Sequence, residues 1–145
     1  MHRTLDIDKV EKELNIKLPQ FFIDFHLNSE LITELRDLSN DLDYITISSD
    51  ADWMIEHNRD FLQLPNNEGI CRNKICIGTD GCGNDSFISL VGDDKRVFFI
   101  DHEIAGDLIN PDTNDFRWED KELEKFDSLE DYVNYIINIY KGLDN

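Results

Sequence analysis

Positive charge is what this chain has least of. Lys and Arg number 14 against 32 Asp and Glu in 145 residues, a formal net charge of −18, and no acidic block longer than a few residues accounts for it. Such a surface repels nucleic acid and anionic lipid, and it steers a basic partner toward itself at rates that fall with salt. The plainer reading of the same acidity is solubility. Cysteine is scarce and odd in number: Cys71, Cys76 and Cys82 do not fall at the paired C-x-x-C spacing of zinc sites or redox motifs. Cys76 reads as a small core residue, and the other two as free thiols of a reducing compartment. A metal held by these cysteines and a histidine is the competing reading, and the spacing gives it little support. No apolar run nears the length that crosses a bilayer, and Met1-His2-Arg3-Thr4-Leu5-Asp6 lacks the apolar stretch of a signal peptide, so the expected location is the cytoplasm. The length suits one core, hence a single domain over residues 1–145.

The signatures of catalysis are missing too. The chain has no Gly-x-x-x-x-Gly-Lys phosphate loop, no His-Glu-x-x-His helix and no serine in a nucleophile elbow. His26, His57 and His102 have acids nearby, the raw material of a general base, yet no cysteine carries a nucleophile motif for them to serve. Asp80 to Asp85 and Asp112 to Asp115 fall short of a calcium loop, because the acids do not alternate and no closing glutamate follows at the right distance. The expectation is a protein that is no enzyme and carries no cofactor and no metal.

What the sequence does have is concentrated between Ile75 and Glu103. Ile75-Cys76-Ile77 and Phe87-Ile88-Ser89-Leu90 flank a loop rich in glycine and acid, and Val97-Phe98-Phe99-Ile100 returns after Gly92-Asp93-Asp94. The pattern predicts three consecutive antiparallel strands. The loop between the first two offers backbone freedom, carboxylates and amides, which are materials of a binding surface. Its candidate contact residues are Asp80, Gly81, Gly83, Asn84 and Asp85, with the alternative that glycine and aspartate merely shape a hairpin turn. Asp101, His102 and Glu103 end the third strand as further candidates, or tie the strand end to a neighbouring loop. Trp118, isolated in a polar segment, is either a partner anchor or a lid over the sheet edge.

Helical spacing marks the ends of the chain. Ile7, Val10 and Leu14 predict a first helix, with Thr4 or Asp6 as cap and Asn15 as a left-handed stop. Leu18-Pro19 opens a second, whose aromatic face is Phe21, Phe22 and Phe25. Asn28 to Asp43 is ambiguous, because leucines at helical spacing are interrupted by Asn-Ser and Asn-Asp. Leu42, Tyr44, Ile45 and Ile47 predict a strand, and Ser49-Asp50-Ala51-Asp52 the cap of a helix carrying Trp53, Met54, His57 and Phe61. A loop follows from Leu64 to Asn73, and a polar excursion runs from Asp107 to Lys125. Ser128 with Asp131 caps a last helix that displays Leu129, Tyr132, Val133, Ile136, Ile137 and Tyr140 until Gly142. The fold class expected is α+β, a central antiparallel sheet with helices packed mainly on one face.

These residues add up to a resemblance. Glu11-Lys12-Glu13-Leu14-Asn15-Ile16-Lys17-Leu18-Pro19-Gln20-Phe21-Phe22 resembles the E-x-x-L-G-x-x-L-P-x-x-F/Y opening of the SUKH superfamily. That superfamily includes bacterial immunity proteins and the yeast regulator of cell-wall synthesis. Ile77 to Asp85 is similar to its I-G-S/T-D-G-G-G-D turn, Val97 to Glu103 to its V-F/Y-x-x-D-H-E/D strand, and Phe126 to Val133 to its closing helix. The matches keep the family's order from about Ile7 to Ile139. Three positions depart from it: Asn15 and Cys82 stand at customary glycines, and Asn28-Ser29 replaces Asn-Gly. The resemblance implies a protein that binds: a bacterial immunity protein that holds a cognate secreted toxin inactive, often a nuclease or nucleic-acid deaminase. Acidity fits that role, since an acidic inhibitor occupies a basic substrate surface as a phosphate mimic. The alternative is a regulatory scaffold for a housekeeping protein. Neither reading has the chain bind nucleic acid or membrane itself.

Overall fold

The computed structural model describes residues 4–28, 30–38, 47–62, 73–80 and 82–142, the side chains of 60–62 and 140 excepted. Helix α1 (Ile7–Leu14) uses the second of its two candidate caps. The Asp6 carboxylate accepts from the Lys9 amide, and Asn15 ends the helix in the left-handed region at φ 55. Glu11 Oε2 then accepts from the Leu18 amide at 2.7 Å, which holds the chain where Pro19 starts α2 (Gln20–Asn28). The ambiguous segment proves helical once past Asn28: α3 runs Glu30–Leu38 and buries Ile32 and Leu35. Ser29 and residues 39–46 lie outside the described residues, and with them most of the strand expected at Leu42 to Ile47. Ile47 itself is buried in the core without belonging to a strand. In α4 (Ala51–Leu62) the cap is Asp50, whose Oδ1 accepts from the amides of Asp52 and Trp53. The loop expected from Leu64 to Asn73 falls almost wholly outside the described residues.

The strands are β1 (Lys74–Thr79), β2 (Asp85–Ser89), β3 (Val97–Ile100), β4 (Ile109–Asn110), β5 (Asp115–Phe116) and β6 (Glu124–Phe126), followed by α5 (Leu129–Tyr140). The three expected strands form as read, and β6 joins them in one sheet of order β1-β2-β3-β6 with every pairing antiparallel. Because side chains alternate across a strand, Ile75, Ile88 and Val97 enter the main core while Cys76, Phe87 and Phe98 face the other way. Ile77, two residues after Ile75, enters the main core by the same alternation, and the register shifts at a bulge between Cys76 and Gly78. Each of α1 to α5 contributes to that core, α5 with Leu129, Tyr132, Val133 and Ile137. Ser128 caps α5 by accepting from the Asp131 amide, and Gly142 follows it at φ 70.

The opposite face of the sheet is not left to solvent. Leu108, Leu123, Phe116 and Trp118, all from the polar excursion, pack on Cys76, Phe87, Phe98 and Ile100 as a second core. Arg96 fastens this cover. Its guanidinium donates to both oxygens of Asp94 and, at 2.8 and 2.6 Å, to both oxygens of Glu119, while lying 5.0 Å over the Phe98 ring. These bonds hold the Asp94 and Glu119 carboxyls below their ordinary pKa.

The other edge of the sheet among the described residues, β1, is met by a side chain. Asn58 on α4 donates to the Cys76 carbonyl at 2.8 Å and accepts from the Cys76 amide at 2.7 Å, so its carboxamide takes the place of a neighbouring strand. Ser48 N–H adds a bond to the Ile77 carbonyl at 2.9 Å. Truncation by Asn58→Ala leaves a buried donor and acceptor unsatisfied and is expected to cost about 3 kcal/mol in urea unfolding, with association of the exposed edge at high concentration. A loss under about 1 kcal/mol would show the clamp to be dispensable.

His26 sits in this core with Nε2 unpartnered among the described residues, against the edges of Phe22 and Phe25. Burial first, and the Arg36 charge second, push its pKa down to about 4 from 6.5. The unfolded chain therefore binds a proton between those values that the folded chain refuses, and the stability tied to neutral His26 is full above 6.5 and lost as pH falls to about 4. Relative to wild type, His26→Phe should gain up to about 3 kcal/mol between neutral pH and about pH 4. Parallel stability curves for the two proteins would refute the assignment.

Candidate functional site

Strand β1 ends at Thr79 and β2 begins at Asp85, so the residues between them hang from one end of the sheet. Ile100 ends β3 directly opposite Asp85, and Asp101-His102-Glu103 therefore leaves the sheet beside that loop. Asp80 organises the loop from within: Oδ1 accepts from the amides of Cys82 at 2.8 Å and Asn84 at 3.3 Å, and Oδ2 from the Asn84 side chain at 2.8 Å. The Asp80 amide returns a bond to the Asn84 carbonyl at 3.1 Å, and the Thr79 hydroxyl donates to the same carbonyl. Asn84 faces both ways. Its Oδ1 accepts from the His102 amide at 2.9 Å and from His102 Nδ1 at 2.7 Å, which places the proton on Nδ1. Gly83 passes under that ring at φ +93, and a Cβ there would lie 3.5 Å from His102 Cγ; the positive φ is what calls for glycine.

The loop and the strand end are thus one hydrogen-bonded unit. Asp80, Gly83, Asn84, Asp85, Asp101, His102 and Glu103 are brought together, while Gly81 lies outside the described residues. The Asp101 carboxylate is about half exposed and accepts from the Glu103 amide. Glu103 is exposed. Trp118 stands apart, toward the Lys74 end of β1: its ring packs on Phe87, Phe98 and Phe116 at 5.2 to 5.5 Å and lies 4.8 Å under Lys74 Nζ. Its indole N–H donates to Asp115 at 3.1 Å.

Asp85 has a partner that spacing did not reveal. His57 Nε2 is 3.4 Å from Asp85 Oδ2, and the His57 ring stacks on Trp53 at 4.6 Å and 13°. Trp53 to His57 is one helical turn, so a stacked pair on α4 was readable in principle, but its meeting with β2 depends on how α4 lies along the sheet. Among the described residues the donor atoms of His57, Cys76 and Asp85 lie within 4.8 Å of one another, the one group there close enough to share an ion. A hollow of about 440 Å³ between α2 and α5 is lined by Phe21, Asp24, Phe25, Lys95, Glu130 and Ser128. Its serine is committed to capping α5.

Among the described residues no helix is long and apolar enough to cross a membrane. Neither a curated protein nor a solved structure matches the chain. The sequence pattern of the SMI1 / KNR4 family (SUKH-1) matches residues 4–135, from just before the cap of α1 into the middle of α5. The resemblance first seen in four separate motifs therefore holds across the whole sheet and its cover, and this chain belongs to the SMI1 / KNR4 (SUKH-1) family.

Proposed function

We propose that the chain is an immunity protein that neutralises a cognate secreted toxin, a nuclease or nucleic-acid deaminase, by covering its basic substrate surface. The family supports the broader part of this reading, since its members are often immunity proteins, act through protein–protein contact and are generally not catalysts. The observation that carries the finer part is electrostatic. From Ile75 to Phe116 the only Lys or Arg are the adjacent Lys95 and Arg96, against nine Asp and Glu, and Arg96 is taken up by Asp94 and Glu119. The rim formed by Asp80 to Asp85 and Asp101 to Glu103 has no cation of its own segments to offset it.

A cationic groove shaped for a phosphate backbone meets such a rim with complementary potential. Within the rim the roles divide. Asp80 is engaged by its own loop and shapes the surface; Asp101 and Glu103 present charge outward. Mobility of the loop is not needed, because the Asp80–Asn84–His102 chain of bonds holds the carboxylates in place before any partner arrives.

Affinity capture from the native lysate at low salt, followed by salt elution and mass spectrometry, tests the reading. A basic toxin-like domain whose activity the purified chain blocks stoichiometrically is the expected result. Recovery of a housekeeping complex alone would replace it with the scaffold reading. Once a partner is in hand, Asp101→Asn with Glu103→Gln should slow association on the order of three- to tenfold at low salt, leave the thermal midpoint unchanged, and flatten the salt dependence. Asp80→Asn with Asp85→Asn should weaken binding as well but lower stability, because both carboxylates are bonded within the fold. An association rate indifferent to salt in the wild-type chain would return the acidity to solubility.

A further inference from the structure

The geometry points to a second site on the same sheet: His57, Cys76 and Asp85 form a binding site for a zinc-type divalent cation. The three residues come from α4, β1 and β2, and the fold fixes them by separate means. Cys76 and Asp85 share the second-core face of neighbouring strands, Asp85 being two residues before Phe87, the register partner of Cys76. His57 is held to the same place by its neighbour Asn58, whose carboxamide is bonded to both backbone polar groups of Cys76. Trp53, stacked flat on the imidazole, sets the ring plane.

Donor chemistry selects the ligand. A thiolate, an imidazole and one carboxylate are a borderline-soft set that suits zinc and is wrong for calcium or magnesium, which need cages of oxygen. Ligands of a tetrahedral zinc stand about 3.3–3.8 Å apart. The His57–Asp85 pair is already at 3.4 Å, and the Cys76 sulfur lies within 4.8 Å of both, so binding would draw it toward them by about 1 Å. The Cys76 thiol now donates to the Gly78 carbonyl at 3.3 Å. On binding, its proton leaves for solvent, the sulfur becomes the third ligand, and thiolate plus carboxylate balance the dication. Water takes the fourth position.

Burial distinguishes this from a nucleophile site with the same three residues. Cys76 has no exposed surface, so an organic substrate cannot reach its sulfur. The His57 and Asp85 side chains are 31% and 20% exposed, which gives a single ion a path past them. This inference does not rest on the toxin reading and survives its failure.

The test is a cobalt(II) titration of the full chain carrying Cys71→Ser and Cys82→Ser, which leaves Cys76 the sole thiol. A near-ultraviolet thiolate-to-cobalt band that saturates at one ion per chain, and that zinc abolishes, is expected. His57→Gln should remove the band and Asp85→Asn should weaken affinity at least about tenfold, both with unchanged far-ultraviolet circular dichroism. Zinc should raise the thermal midpoint of the parent and not of His57→Gln. No thiolate band at millimolar cobalt, or a band undiminished in His57→Gln, overturns the site. Both partner variants alter part-exposed side chains, so the test does not depend on the buried Cys76→Ser variant folding.

Discussion

The contact on which the rest of the structure leans is the one between the Asn58 carboxamide and the backbone of Cys76. An edge strand exposes a row of unpaired amides and carbonyls that invites another chain to add on, and among the described residues β1 is such an edge. Asn58 answers the Cys76 N–H and C=O with a donor and an acceptor of matching spacing, while its Nδ2 also donates to the Met54 carbonyl of its own helix. One side chain therefore satisfies the edge of β1 at Cys76, orients α4 and fixes the depth at which Trp53 and His57 reach the loop end of β2. Replacing it by a hydrophobe of equal size would fill the space and still leave two buried polar groups without partners.

With that edge met at Cys76, the sheet serves as a platform with two differently built covers. The helical side is a conventional core in which Ile75, Ile77, Ile88 and Val97 meet α1, α4 and α5. The other side is covered by chain with almost no regular structure, held by a few large residues and by the Arg96 fork to Asp94 and Glu119. Basic residues in this protein act as local fasteners: Lys9 to Asp52, Arg59 to Glu13 and Lys141 to Glu34 join segments distant in sequence. Exposed pairs of this kind contribute little stability each. Their larger effect is on the field, because they take up the few cations and leave the carboxylate excess elsewhere unopposed.

What could be read in the sequence follows from where information is local. Asp6, Asn15, Pro19, Ser128 and Gly142 act on backbone within a few residues of themselves, and each marks a helix end where expected. The three central strands were legible for the same reason, since alternation and turn chemistry are short-range. The cover of the second face was not: Leu108, Phe116, Trp118 and Leu123 are scattered among acids without a period, and only the finished sheet gives them a common neighbour. The candidate site was half legible. Glycine and aspartate marked the loop, but that Asp80 shapes the turn while Asp101 faces solvent is decided by amide positions three-dimensional structure alone supplies. The meeting of His57 with Asp85 and Cys76 belongs to the same class, because residues 57, 76 and 85 share no spacing rule.

A rim of like charges held close together opposes its own folding, and this protein tolerates one without matching it with lysine or arginine of the same segments. Repulsion among Asp80, Asp85, Asp101 and Glu103 would favour splaying the loop from the strand end. Four features resist it: the three bonds into Asp80, the bridge from Asn84 to His102, the Asp101 turn bond, and the contact of Asp85 with His57 Nε2. Each neutral donor stabilises a carboxylate without cancelling its charge, so the rim keeps its potential while losing its freedom. A lysine in the same place would steady the loop equally well and abolish the field. The scarcity of cations in this segment and the abundance of amide donors are thus two sides of one requirement, a negative surface fixed in shape.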